Sequence, residues 1–156
     1  MKKSLFSVII VLLVSVFAVP SAYASDGDFH ENTKERIIYL ADGSYIVSTV
    51  TEENANTSPY AAAKTKSGSK TSTVYSATGT SLYSITVHGT FSYNGSSATA
   101  KSSSYSHAEN SPLWSFSSGS ASVSGATATA SGTFKSALTT KTLTVSLSCS
   151  ANGTLS

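Results

Sequence analysis

The chain has 156 residues, of which 40% are hydrophobic and only 12% charged, with one cysteine and a formal charge of +2. So small a net charge gives no case for nucleic acid, and one cysteine excludes an intramolecular disulfide. About 130 residues beyond an N-terminal leader suffice for one domain with a modest core.

Residues 1–24 follow the three-part plan of a secretory signal: Lys2 and Lys3, an apolar run from Leu5 to Val19, and the small-x-small site Ala22-Tyr23-Ala24. The run is shorter than the roughly 20 residues of a spanning helix, and Pro20 interrupts it. A signal helix cleaved between Ala24 and Ser25 is therefore expected, with an uncleaved anchor as the alternative. No cysteine follows that point to accept a lipid before Cys149, and residues 149–156 form neither an apolar tail nor a basic anchor. The expectation is a secreted, extracellular protein with no stable membrane anchor.

Residues 25–59 carry seven acids against Lys34 and Arg36, whereas residues 60–156 carry six lysines against Glu109 alone. This split is read as solvated charge on an N-terminal segment. An acidic arm on a basic domain, or a basic face meeting anionic cell-wall polymer, is the functional alternative. Two strands at about 36–40 and 44–52, joined by Ala41-Asp42-Gly43, form an expected hairpin, because Asp-Gly accepts the positive φ of a tight turn. The stretch from Glu53 to Ala63 contains Asn54, Asn56, Ser58 and Pro59 without periodicity and reads as a linker. The expected organisation is 1–24 signal, 25–59 acidic segment with the hairpin, and 60–156 sheet domain.

After residue 64, turns are expected at Ser67-Gly68, Thr78-Gly79, Asn94-Gly95, Asn110-Ser111-Pro112 and Ser124-Gly125. Between them the side chains alternate. Tyr83, Ile85, Val87, Gly89, Phe91 and Tyr93 oppose Ser84, Thr86, His88, Thr90 and Ser92. Ala126, Ala128, Ala130, Gly132, Phe134 and Leu138 oppose a Thr/Ser/Lys row, and Leu143, Val145, Leu147, Cys149 and Ala151 oppose another. Period-two alternation predicts half-buried strands. Residues 97–105 and 114–123 are serine-rich strands whose parity shifts near Ser102 and Ser118, as bulges would produce. No helical stripe follows residue 30, and a single sheet would leave its apolar row in water. The predicted fold is all-β: an antiparallel sandwich of about seven or eight strands, with an open barrel as the alternative.

The chemistry-bearing residues are few. His30, His88 and His107 have no metal spacing, so no metal and no cofactor are expected. His107 and Glu109 form the only imidazole–carboxylate pair close in sequence after residue 60, without a nucleophile elbow or oxyanion motif. Glycoside hydrolysis uses two carboxylates, and this region has one. Phosphate-loop and dinucleotide glycine patterns are absent. The expectation is therefore no catalytic residues and no enzyme. Cys149 falls on a core face and reads as a buried free thiol. Asn56, Asn94 and Asn152 match the glycosylation acceptor and are read as turns. Tyr83, Tyr93 and Trp114 read as core, while Tyr75 and Tyr105 lie near strand ends. The candidate binding residues are then His88, Tyr75, Tyr105, His107 and Glu109.

Val87-His88-Gly89-Thr90-Phe91 with Tyr93-Asn94-Gly95, and the ending Cys149-Ser150-Ala151-Asn152-Gly153, resemble segments of small secreted proteins of Gram-positive, largely gut-dwelling, clostridia-like bacteria, a family of unknown function. The resemblance extends over nearly the whole mature chain and implies an exported all-β protein with no activity to carry over. The expected role is a non-enzymatic extracellular binding module for a cell-wall or host glycan or a cell-surface protein. A bacteriocin-like or membrane-active protein is the alternative, and a hydrolase centred on His107 and Glu109 a second.

Overall fold

The computed structural model describes residues 34–53 and 63–156. The expected signal, its Ala24–Ser25 cleavage site and most of the linker lie outside the described residues. Eight strands follow in order: β1 (Lys34–Tyr39), β2 (Tyr45–Glu52), β3 (Lys64–Tyr75), β4 (Ser81–Tyr93), β5 (Ala98–Glu109), β6 (Ser115–Ser124), β7 (Thr127–Lys135) and β8 (Thr140–Ser148). They form two antiparallel meanders, β1-β2-β3-β4-β5 and β6-β7-β8. The smaller sheet packs on β3, β4 and β5. The result is a β-sandwich, and the two sheets do not close into a barrel.

Alternation places the core between the sheets. Ile85, Val87 and Phe91 from β4 meet Phe134 and Leu147 from β7 and β8, all fully buried. Burial of each such side chain contributes about 1.5–3 kcal/mol. Ala128 and Ala130 are buried too, and their short side chains let β7 approach β4. The two expected parity shifts are present: the register skips Lys101 between Thr90↔Ser102 and Phe91↔Ala100, and skips Ser117 between Phe116↔Phe134 and Ser118↔Thr133. Each bulge returns the following residues to the correct face.

Three expectations need correction. Ser67-Gly68 is not a turn but lies inside β3. A Cβ at Gly68 would stand 2.8 Å from the Thr51 carbonyl and collide with the Leu155 side chain, so that glycine serves a close approach. Leu138 does not continue the core row of β7, because the strand ends at Lys135 and Leu138 projects from the following turn, 96% exposed. Lastly, the hairpin at residues 34–52 extends the same sheet as the residues after 60, since β2 pairs with β3 from Tyr45↔Tyr75 to Glu52↔Gly68.

The polar rows are ordered as well. On the outer face of the smaller sheet, β7 and β8 hydroxyls pair in four successive rungs: Thr127–Ser148 at 2.9 Å, Thr129–Ser146 at 3.0 Å, Ser131–Thr144 at 2.6 Å and Thr133–Thr142 at 3.3 Å. Such cross-strand pairs each contribute a few tenths of a kcal/mol, up to about 1 kcal/mol.

The two ends of the sandwich differ. At one end, Ala100 N–H donates to the Gly125 carbonyl (2.8 Å), Gly95 N–H to Ala151 (2.9 Å) and Cys149 N–H to Ala126 (3.0 Å). Cys149 is buried there, and burial pushes its thiol pKa up, so the thiol is held neutral. The chain then doubles back, with Leu155 fully buried over Gly68 and its N–H donating to Glu52 Oε1 at 3.4 Å. At the other end lie the turns at 40–44, 76–80, 110–114 and 136–139, and there the sheets leave a cleft.

Candidate binding cleft at the open end of the sandwich

Five segments far apart in the chain build this cleft. The β1–β2 turn supplies Leu40, Asp42 and Ser44; β2 and β3 supply Ile46 and Val74; β4 supplies Tyr83; the β5–β6 loop supplies Trp114; β8 supplies Lys141 to Leu143. The cavity volume is about 300 Å³.

Its floor is aromatic. Tyr83, 5% exposed, stacks on Phe134 with ring centroids 4.4 Å apart and meets Trp114 at 4.6 Å and 51°. Trp114 is held by its N–H to the carbonyl of buried Ser111 (3.1 Å). Burial raises the Tyr83 phenol above its ordinary pKa, and the Asp42 charge pushes the same way, so the hydroxyl stays protonated as a donor.

The rim carries opposite charges. Asp42 heads the Asp-Gly turn, where Gly43 takes φ 81°. Its Oδ1 accepts from the Ser44 hydroxyl and from Ser44 N–H (3.0 Å). These hydrogen bonds hold the Asp42 carboxyl below the usual carboxylate range, and Lys141 adds a smaller pull in the same direction. Both bonds fall on Oδ1 and leave Oδ2 as a charged acceptor. The ion pairs among the described residues are Lys66–Glu52 and His107–Glu109, so Asp42 and Lys141 share the cleft without pairing.

The residues singled out from sequence do not converge here. His88 lies on the outer face of the larger sheet, its Nε2 3.1 Å from Ser106 Oγ. Tyr75 stacks on Tyr45 (5.1 Å, 6°), which meets Tyr39 at 5.8 Å, giving a three-ring strip across β3, β2 and β1. Tyr105, His107 and Glu109 alternate along β5 on the opposite face from His88 and meet β6. The Tyr105 ring lies against Gly119 and 6.2 Å from Phe116. The His107 ring stacks on Phe116 at 3.6 Å and 9°, and Glu109 Oε1 accepts the Phe116 N–H at 2.9 Å. His107 and Glu109 are thus 3.9 Å apart, and both are engaged in joining the sheets.

Sequence reasoning missed the cleft residues. Asp42 read as turn chemistry, or as the second carboxylate a hydrolase would need; Trp114 read as core more than as a recognition residue, and Lys141 as one of six lysines; no short spacing connects them. Among the described residues, no group of three or more His, Cys, Asp and Glu is placed to hold a metal ion. No helix among them is long and apolar enough to cross a membrane. No family model, no curated protein and no solved structure matches the chain.

Proposed function

We propose that this protein is an exported, non-enzymatic binding module of the extracellular space that takes a sugar residue of a glycan into the open-end cleft. The observation that carries this reading is the cleft's composition: Trp114 and Tyr83 beneath, with Asp42, Ser44 and Lys141 around them and, among the described residues, no salt bridge between Asp42 and Lys141 to break. A pyranose offers an apolar C–H face to aromatic rings and hydroxyls to its sides. Hydrogen bonds to a charged partner such as Asp42 contribute about 1.5–3 kcal/mol each. About 300 Å³ is at the small end of ligand sites, which suits one sugar residue rather than a long oligosaccharide. Among the described residues the cleft is lined by one carboxylate, Asp42, held in its charged form, whereas glycoside cleavage uses a pair. Export rests on the sequence of residues 1–24.

The test is a glycan array and a pull-down on purified cell wall, followed by calorimetry on the best ligand. Asp42→Asn and Lys141→Met should each weaken binding about tenfold, corresponding to 1.4 kcal/mol, without changing the melting midpoint. Trp114→Ala should abolish it. Absence of any glycan binding at millimolar concentration, or wild-type affinity in all three variants, would overturn the proposal.

A further inference from the structure

Beside the cleft, two turns at the open end are built alike. In the β5–β6 loop, Ser111 Oγ accepts from Leu113 N–H at 3.4 Å. In the β7–β8 turn, Ser136 Oγ accepts from Leu138 N–H at 3.4 Å and Thr139 N–H at 3.2 Å, while Ser136 N–H donates to the Thr139 carbonyl at 2.8 Å. Each serine hydroxyl accepts from the backbone of the leucine two residues later, and that leucine's side chain projects outward. Leu113 is 74% exposed and Leu138 96%. Both line one groove of about 210 Å³ with Trp114, Ser136 and Ala137, so the two tips form a single apolar patch. Exposed Lys135 and Lys141 bracket the second turn.

We infer that this patch docks on an anionic lipid surface. Two leucine tips and the edge of one tryptophan offer far less than the roughly 1,000 Å² that a stable protein interface buries. A bilayer interface needs no such area: apolar tips enter the boundary between headgroups and acyl chains, and adjacent lysines meet negative headgroups. Lys135, on the turn beside the groove, favours anionic over zwitterionic lipid, whereas Lys141 shares the larger cleft with Asp42 and the Glu109 carboxylate is taken up by the Phe116 N–H. The inference goes beyond sugar binding, since neither Leu113 nor Leu138 lines the larger cleft.

Trp114 is the only tryptophan in the chain and sits in the groove, so its emission reports on docking directly. The full chain is mixed with vesicles of phosphatidylcholine containing about 30% phosphatidylglycerol, and with vesicles of phosphatidylcholine alone. The first should shift Trp114 emission to the blue and retain the protein on flotation, and the second should do neither. The double variant Leu113→Ser/Leu138→Ser carries residues 1–24 unchanged, so any contribution of that segment is common to both proteins. It should lose the emission shift and at least tenfold in vesicle affinity, with glycan binding and melting midpoint unaltered. Lys135→Gln should weaken binding to the anionic vesicles severalfold, and 0.5 M salt should do the same. An unchanged emission shift in the double variant would overturn the inference, as would equal binding to both vesicle types. A wild-type dimer in sedimentation that the double variant dissociates would also overturn it, by making the patch a self-interface.

Discussion

The closed and open ends of the sandwich use the same small, hydroxyl-rich vocabulary to opposite effect. At the closed end, backbone hydrogen bonds run between turns, Leu155 fills the space above Gly68, and the Tyr93 ring packs so close to Gly153 that an added Cβ would stand 2.5 Å from it. At the open end Asp42–Ser44, Ser111–Leu113 and Ser136–Leu138 tie turns to themselves, as Asn94–Ser97 and Ser150–Thr154 do at the closed end, and Asn110 is joined to Leu82 and Ser81 of its own sheet, while the two sheets are left apart around the cleft. Backbone bonds between the sheets, such as Ala100 to Gly125, draw the closed end together; the open-end turns leave side chains free to meet something else. Stability should therefore be concentrated at one end and recognition at the other.

The largest effect should come from Leu155→Ala. Leu155 is fully buried, and truncating a buried leucine removes its transfer energy and leaves a cavity, a loss of about 2–5 kcal/mol. Urea denaturation should show the midpoint falling with the slope unchanged. A loss under about 0.5 kcal/mol, the level of an ordinary surface change, would erase the distinction between the ends.

Gly68→Ala sharpens the same point at smaller size. The added methyl meets the Leu155 side chain and the Thr51 carbonyl, the latter at 2.8 Å. Overpacking of this kind costs about 1–3 kcal/mol. In a Leu155→Ala background part of the clash is gone, so the alanine should cost less there, and a double-mutant cycle should give a coupling of at least about 0.5 kcal/mol. Full additivity would show that Leu155 is not what requires glycine at 68.

Those two residues also mark the limit of what the sequence reveals. Strand identity and facing follow from local alternation, and even the bulges beside Ser102 and Ser118 announce themselves as breaks in parity, because strand geometry repeats every two residues. Gly68 misleads since a glycine after serine resembles a turn locally, and its reason, Leu155, lies 87 positions away. Leu138 misleads in the opposite sense: it keeps the parity of β7 three residues after the strand has ended. The cleft is illegible for a related cause. Asp42, Tyr83, Trp114 and Lys141 are brought together by the ends of two meanders, and each has an ordinary local explanation. His107 and Glu109 are neighbours in sequence and in space, yet Phe116 from the next strand decides that they join sheets.

The smallest expected effect, and the one most specific to the open end, is the acid limit of glycan binding. Asp42 accepts its Ser44 hydrogen bonds as the charged carboxylate, so its pKa in the fold lies below the ordinary carboxylate range. For a carboxyl group lowered in this way, the charged form is fully populated above the ordinary value and is lost as pH falls through the lowered one. Glycan affinity should thus be constant from pH 7 down to pH 5 and decline only below the ordinary carboxylate range. Asp42→Asn, measured over the same span, should show no such decline, because its side chain does not titrate. A wild-type decline that Asp42→Asn retains would assign the titration to a group other than Asp42 and remove the carboxylate from the recognition site.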